Sequence, residues 1–284
     1  EIGDGFLKKA NSFFNGIYSF SARREIVKVL DQFRPDCVQI QNLFPLISPS
    51  ILSLIKSRGI PIVMRCSNFR LICPNGLFLS HGQLCEKCRG GYEYWRVFKN
   101  CENNIFKSVG YALRNCVARK LKLYTENISL YIAQTEFQKK YLIGENIPSE
   151  HIVVIPNMSS DTNNPVNNNL GDYIGYVGRI SPEKGIDTLI NAAIECNHIS
   201  FKLAGNYGRM PHLSEKKPEN LDLVGHIASS SLHAFYNNSR IIVLPSICYE
   251  GFPGVLIEAM LHGKPIICSR IGGLSEIVDD RITG

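Results

Sequence analysis

No apolar stretch in the 284-residue sequence is long enough to cross a lipid bilayer. The longest runs, such as Ile241–Leu244 and Pro265–Cys268, have the length of a β-strand, whereas a transmembrane helix needs about 20 apolar residues. The first residues also lack the basic segment, apolar core and small-residue cleavage site of a secretory signal. A composition of 44% hydrophobic and 20% charged residues is typical of a globular protein. At roughly 150 residues per domain, the length suggests two domains.

Runs of like charge are missing as well. The net charge of +6 arises in the first 160 residues, which carry 21 Lys and Arg against 12 Asp and Glu; the remainder carries 10 against 13. The positive residues are scattered and match no nucleic-acid-binding motif, so we expect no nucleic-acid partner. An anionic membrane surface or an anionic lipid-linked substrate would explain the excess, and so would an ordinary solvated surface.

Cysteine, by contrast, is abundant, with ten residues. Six stand singly in or beside apolar stretches, as small buried side chains do. The other four form the pattern Cys73-x11-Cys85-x2-Cys88-x12-Cys101 inside a predicted long loop, residues 67–103. This pattern resembles half of a zinc knuckle; a structural zinc ion, reduced structural thiols and a disulfide are the alternatives. No histidine lies at a spacing that would activate one of these thiols, so we expect no catalytic role for them.

Short β-branched runs alternate with amphipathic stretches along the chain, which is typical of parallel sheets covered by helices. The polar stretch Asn157–Leu170 is a predicted linker. We therefore predict an α/β protein with two doubly wound, Rossmann-like domains, residues 1–160 and 161–284. The predicted strands are Cys37–Gln41, Pro61–Cys66, Ser129–Gln134, Ile152–Ile155, Tyr173–Val177, Ile199–Ala204, Leu221–Val224, Arg240–Leu244 and Pro265–Ser269. The predicted helices are Ala22–Phe33, Pro49–Arg58, Ile105–Lys122, Glu136–Gly144, Glu183–Glu195, Ser229–Asn237 and Gly254–His262.

Three strand ends in the second domain carry residues suited to ligand binding, since doubly wound sheets bind ligands beyond the carboxyl ends of their strands. The first, Gly178–Gly185, combines a tight turn with the cations Arg179 and Lys184 and a predicted helix start, an arrangement that can hold phosphate. The second is the glycine-bounded turn Gly205–Gly208. In the third, Glu250 precedes a predicted helix and Glu258 lies within it. Two acids also suggest a glycosidase, but a glycosidase needs no diphosphate-binding cations.

The order and spacing of these segments, continued by Ser269–Val278, resemble glycosyltransferase family 4. Members of that family are retaining enzymes of the GT-B fold, in which two Rossmann-like domains face a cleft, and they use nucleotide-activated sugars. The first domain agrees more loosely, through Asn42-Leu43-Phe44-Pro45 and Ile155-Pro156-Asn157. The stretch Asn68–Pro74, followed by the cysteine cluster, resembles a bacterial subgroup that builds surface polysaccharides such as capsule and lipopolysaccharide.

The resemblance implies a role for each matching residue. Arg179 and Lys184 are expected to bind the donor diphosphate and to stabilise the leaving group, so that no catalytic metal is needed. Glu250 is expected to contact the donor sugar near the reacting centre, and Glu258 to accept hydrogen bonds from the ribose. The expected donor contacts also include residues of the flanking loops and of the helix start, namely Gly178, Gly205, Phe252, Pro253, Gly254 and Val255, and, for the base, Ile227 with its neighbours Gly225 and His226.

The sequence also departs from the family pattern. The strand corresponding to Pro61–Cys66 is commonly followed by a histidine that reaches the donor sugar, and Ser67 stands there instead. The family's first strand with its glycine-rich loop, and its C-terminal helices, have no counterpart. We therefore expect a fragment lacking both ends, with a nearly complete donor side and an incomplete acceptor side.

These features predict a cytoplasmic enzyme, peripheral on the inner face of the plasma membrane, that transfers a sugar from a nucleotide-diphosphate donor to a glycan or lipid-linked acceptor. Because Ser67 stands in place of the common histidine, the alternative is a catalytically silent protein that binds a nucleotide sugar. An epimerase or phosphorylase of the same fold would not be expected to keep the Glu250-x7-Glu258 spacing in this context.

Overall fold

The computed structural model describes residues 16, 18–43, 47–159 and 170–284. Two compact units make up the chain, and their boundary in the sequence lies between Pro156 and Asn157. Most of the predicted linker, residues 160–169, lies outside the described residues, as do Phe44 and Pro45 of the first-domain motif. In the described part of the chain, no helix is both long and apolar enough to cross a membrane.

The strands agree with the sequence prediction, and each predicted strand is present with its ends within one residue of the expected position. The strands are β1 Val38–Ile40, β2 Ile62–Arg65, β3 Leu79–Ser80, β4 Gln83–Leu84, β5 Leu130–Ala133, β6 Ile152–Val154, β7 Tyr173–Val177, β8 Ser200–Ala204, β9 Leu221–Gly225, β10 Ser239–Leu244 and β11 Ile266–Cys268.

The helices cover the intervals between these strands. They are α1 Phe20–Phe33, α2 Ser50–Ser57, α3 Trp95–Lys99, α4 Ile105–Lys120, α5 Glu136–Ile143, α6 Ile186–Glu195, α7 Ser229–Asn238, α8 Gly254–Leu261 and α9 Leu274–Ile277. Polar side chains define several of their starts: Ser19, Asn104 and Thr135 each accept a hydrogen bond from a backbone N–H of the first turn that follows.

The first unit is built on a parallel sheet in the order β1-β2-β5-β6. The sheet places the carboxyl ends of β1 and β2 side by side, with Ile40 opposite Met64. Its buried face includes Ile62 and Tyr131, which are 0% and 1% exposed.

The segment 67–103 is more ordered than the long loop that the sequence predicted. It contains the hairpin β3–β4, a 3-10 turn at Arg89–Gly91 and the helix α3. Its core is aromatic: Phe69 and Phe78 are almost fully buried, and the ring of Phe78 packs against Tyr141 of α5 with centroids 5.4 Å apart. Burial of these rings stabilises a structure that the glycine-rich sequence does not show as a periodic pattern.

The second unit contains a five-stranded parallel sheet in the order β11-β10-β7-β8-β9. Its first strand, β7, is central; the chain adds β8 and β9 on one side and then β10 and β11 on the other. The order of the strands therefore reverses between β7 and β10, and doubly wound folds bind ligands at the carboxyl end of such a point.

The predicted helix Glu183–Glu195 needs a correction at its start. Pro182–Lys184 form a 3-10 turn, and α6 begins only at Ile186. The break occurs at Gly185, which adopts a φ of +70° that a helix does not accommodate. Lys184 therefore belongs to the turn before α6 rather than to its first turn.

Candidate functional site

Two loops of the second unit meet at the switch point of its sheet. The loop after β7 contains residues 178–185 and the loop after β10 contains residues 245–253. They are joined by a hydrogen bond from the backbone N–H of Ile247 to the carbonyl of Glu183, 3.1 Å long. Gly185 permits this approach, because a Cβ there would lie only 1.8 Å from the carbonyl oxygen of Pro245.

An ion pair connects the same two loops. Lys184 Nζ lies 2.5 Å from Glu250 Oε1, and both side chains are mostly buried. Ser246 Oγ donates to the same carboxylate oxygen at 2.6 Å. The structure therefore brings together two residues that the sequence predicted to be catalytic, 66 positions apart.

Arg179 forms part of a second charged cluster. Its Nη2 lies 3.0 Å from Glu183 Oε1, and Nη1 of Arg209 lies 2.9 Å from the same oxygen. Burial acts to raise the pKa of Glu183, but hydrogen bonds from its own backbone N–H and from Ser181, together with the two guanidinium charges, lower that pKa overall. Glu183 is thus an anionic anchor that holds two cations at the end of the sheet.

A cavity of about 650 Å³ opens at the carboxyl ends of β7 and β8. This volume falls in the range of small-molecule sites, about 300–1,000 Å³. Five residues predicted to bind the donor line it: Gly178, Arg179, Gly205, His226 and Ile227. Arg209, which the sequence analysis did not name, lines it as well. A Cβ at Gly205 would lie 1.7 Å from the carbonyl oxygen of Gly178, so the two turns at the cavity floor approach each other only because Gly205 has no side chain.

The predicted residues Phe252, Pro253, Gly254 and Val255 lie at the start of α8. Pro253 is the N-cap residue and makes no side-chain capping hydrogen bond. Asn157 Nδ2 donates to the carbonyl of Phe252 at 3.2 Å and fixes the approach to the helix. The helix then carries Glu258, whose Oε2 accepts a hydrogen bond from the hydroxyl of Tyr236 at 2.6 Å.

Ser67 belongs to the first unit and lies after β2. It lines a small cavity of about 30 Å³ together with polar neighbours that include Asn68, Arg70 and Arg114. A volume of this size holds little more than a water molecule.

The four clustered cysteines do not support the zinc alternative. In the described parts of the chain, no three His, Cys, Asp or Glu residues are grouped so that they could hold a metal ion. Cys73 donates its thiol proton to Asn75 Oδ1 at 3.0 Å and Cys101 donates to Ser80 Oγ at 3.4 Å. Burial, together with the nearby thiols, raises the pKa of Cys88 to about 12. All ten cysteines are free, in agreement with the reduced-thiol alternative.

Arg209 and Tyr236 were missed in the sequence. Arg209 directly follows the turn Gly205–Gly208. A search for ligand-binding residues after each strand would have included Arg209 if the segment after β8 had been taken one residue longer. Tyr236 gave no such signal, because it lies inside a predicted helix and contacts Glu258 only through the packing of α7 beside α8.

Comparisons with known proteins identify the fold. Residues 171–284 match the family model Glycosyl transferases group 1. The structure resembles GT-B enzymes, among them the crystal structure of Anabaena Alr3699/HepE in complex with UDP-glucose, with a TM-score of 0.59 at 20% identity over 90% of this chain and 65% of that chain. The chain therefore has the GT-B fold, and its second unit is similar to the group 1 glycosyltransferases.

Two curated relatives are similar in sequence to a little over half of this chain. An uncharacterized glycosyltransferase of Methanocaldococcus jannaschii, MJ1178, is 32% identical over 57% of this chain and 46% of its own length. The lipopolysaccharide 1,2-N-acetylglucosaminetransferase of Salmonella typhimurium is 29% identical over 56% of this chain and 49% of its own length. The chain thus matches about half the length of each of these relatives.

Proposed function

We propose that this chain carries the donor site of a retaining glycosyltransferase that moves a sugar from a nucleoside-diphosphate sugar to a glycan or lipid-linked acceptor during synthesis of a surface polysaccharide. The observation that carries the proposal is the cavity at the carboxyl ends of β7 and β8, which Arg179 and Arg209 line. The lipopolysaccharide transferase among the relatives supports the class of product.

The diphosphate is assigned to the cations of the loops after β7 and β8. Arg179 and Arg209 share one carboxylate, Glu183, so two positive charges are held at the cavity by a single negative one. Guanidinium groups bind phosphate oxygens through paired, charge-assisted hydrogen bonds. The excess of positive charge favours an anionic ligand at this position.

Lys184 and Glu250 are assigned to the reacting centre. As the bond between the sugar carbon and the phosphate oxygen breaks, negative charge grows on the leaving diphosphate, and Lys184 stabilises it without a metal ion. The acceptor oxygen bonds to the same face of the sugar and its proton passes to the leaving phosphate, so the configuration is retained. Glu250, held by Lys184 and Ser246, contacts the sugar.

The remaining donor contacts are assigned to α8 and to the cavity wall. Backbone N–H groups at its start, around Gly254 and Val255, are free of side-chain caps and suit sugar hydroxyls and phosphate oxygens. Glu258 accepts hydrogen bonds from the ribose, and the base lies near His226 and Ile227 in the wall of the cavity.

The acceptor and the cellular site are assigned from the first unit. The basic excess of residues 1–160 suits an anionic lipid-linked acceptor and peripheral contact with the cytoplasmic face of the membrane. Phe98 and Phe106 are 78% and 82% exposed, and Lys99 and Lys107 follow them in the sequence. Co-sedimentation with vesicles containing anionic lipid tests this contact. We expect Phe98→Ser with Phe106→Ser to reduce it; equal sedimentation of both proteins would remove these residues from it.

A catalytically silent nucleotide-sugar-binding protein remains the second candidate, because Ser67 stands where the family commonly has histidine. It predicts donor binding without turnover. Release of nucleoside diphosphate from the donor in the presence of an acceptor distinguishes the two candidates.

Binding of nucleotides to this chain tests the donor site directly. We expect one of the four nucleotides UDP, GDP, ADP and CMP to raise the melting temperature more than the others. EDTA is present so that no metal ion contributes, and we expect Arg179→Ala to abolish the rise. UDP is tested first because the Anabaena structure contains UDP-glucose. Arg240→Ala is the matched control: Arg240 lies in the same unit, but its Nε bonds to the carbonyl of Gly171. A rise that survives Arg179→Ala would contradict the assignment.

A further inference from the structure

Tyr236 holds Glu258 from one side. Its hydroxyl donates to Oε2 at 2.6 Å, and its side chain is 1% exposed. Burial raises the pKa of Tyr236 and the neighbouring carboxylate raises it further, so the phenol stays protonated and acts as the donor. This bond leaves Oε1 as the oxygen of Glu258 available to another donor.

Oε1 faces the start of its own helix. An ideal Cβ at Gly254 would lie 3.8 Å from Oε1, in ordinary van der Waals contact. The hydrogen bond from Tyr236 is made to Oε2 and not to this oxygen. The two oxygens of Glu258 therefore differ: one is bonded within the protein, and the other points toward the first turn of α8.

Tyr236 packs against a histidine that belongs to a series of hydrogen bonds between α7 and the end of α8. The ring of His262 lies against that of Tyr236, with centroids 5.0 Å apart. Nδ1 of His262 donates to the carbonyl of Glu258 at 2.7 Å, because a carbonyl only accepts. Nε2 of His262 then accepts from Nδ1 of His233 at 2.6 Å, and His233 in turn accepts from Asn237 Nδ2 at 2.9 Å. These bonds join α7 to the end of α8 behind the phenol.

We propose that Tyr236 is a positioning residue of the donor site: its hydroxyl orients the carboxylate of Glu258 so that Oε1 accepts a ribose hydroxyl of the nucleoside diphosphate. The inference rests on the proposed function. Tyr236 itself does not touch the nucleotide. Because a hydrogen bond weakens steeply once its angle falls below about 120°, release of Oε2 would cost binding energy at Oε1.

Comparison of nucleotides that differ only in the ribose measures this coupling. Calorimetry gives the affinities of UDP, 2′-deoxy-UDP and 3′-deoxy-UDP for the wild-type chain, Tyr236→Phe and Tyr173→Phe. We expect the wild type to bind UDP at least about 10-fold more tightly than one of the deoxy forms, the usual scale for a hydrogen bond to a charged group. In Tyr236→Phe this ratio should fall to about 3-fold or less, because the oriented acceptor is lost.

Tyr173→Phe is the matched control. Tyr173 is also buried in this unit, and its hydroxyl donates to the carbonyl of Phe235 on α7 at 2.8 Å, but it does not contact Glu258. We expect this variant to keep the wild-type ratio. Circular dichroism checks that both variants are folded; Phe keeps the ring that packs on His262.

Two outcomes would overturn the inference, and they are distinguishable. If Tyr236→Phe weakens UDP and both deoxy forms by the same factor, Tyr236 is only structural, and the donor site stands without it. If the wild-type chain binds none of UDP, GDP, ADP or CMP, the proposed function fails and the positioning role fails with it.

Discussion

Lys184 Nζ and Glu250 Oε1 lie 2.5 Å apart and join the loops that follow β7 and β10. The two strands are neighbours in the sheet, so the ion pair spans the point at which the strand order reverses. Lys184 is 19% exposed and Glu250 is 13% exposed, which makes loss of either partner costly for the other. In the proposed function, a donor phosphate competes with Glu250 for Lys184, and the pair links diphosphate binding to the position of the acid.

If the proposed function holds, Lys184→Ala should lower turnover about 100-fold, since it removes a group proposed to stabilise charge on the leaving diphosphate. Turnover is measured as transfer from the donor to an acceptor. Lys122→Ala is the control, because the 2.9 Å pair of Lys122 with Glu126 is exposed at the surface and should leave turnover unchanged. Near wild-type turnover in Lys184→Ala would exclude Lys184 from the mechanism.

Glu183 should make the stability of the second unit depend on acidic pH. Its pKa in the folded protein is below its ordinary value of 4.5, so its contribution to stability is present above pH 4.5 and is lost as the pH falls through the lower folded value. Thermal melts of the wild type and Glu183→Gln, taken from pH 7 downward, measure this. The difference between the two melting temperatures should shrink as the pH drops below 4.5; a constant difference would contradict the ion-pair account.

Gly205→Ala should destabilise the chain and abolish nucleotide binding. The added methyl group would meet the carbonyl oxygen of Gly178 at 1.7 Å, so the turns at the cavity floor must separate. Gly225→Ala is the control for stability: Gly225 also has a positive φ, +77°, but nothing lies within 4 Å of its ideal Cβ. We expect Gly205→Ala to lower the melting temperature clearly more than Gly225→Ala, whose cost is the strain of a non-glycine residue at positive φ, about 1–2 kcal/mol. Equal shifts would show that close approach is unimportant.

Thiol reactivity should follow burial. Cys37 is exposed, whereas Cys66 and Cys248 are 3% and 1% exposed and burial raises the pKa of each to about 12. With a disulfide reagent at pH 8 the native chain should show a fast phase that Cys37→Ser removes, and the two buried thiols should react only after unfolding. Labelling identified by mass spectrometry checks this order, and rapid native labelling of Cys66 would contradict it.

The strands and most helices could be predicted from sequence because their signal is local. A β-branched run such as Ile241–Leu244 has the right length and composition for a buried parallel strand wherever it lies in the chain. The segment 67–103 could not be predicted in this way, since its order comes from Phe69 and Phe78 packing on Tyr141, more than 60 residues further along. The start of α6 was also misplaced, because only the backbone shows that Gly185 adopts a positive φ.

The sequence by itself determined the two α/β units, the loops that carry the candidate site and most residue types in it. Strand ends and glycine turns can be recognised in this way because each depends on a few consecutive residues. Tertiary structure decided the pairing. Glu183 with Arg209, Lys184 with Glu250 and Tyr236 with Glu258 are brought together by parallel strands and packed helices. Such contacts depend on strand order and helix packing, and neither is encoded in the residues that make them.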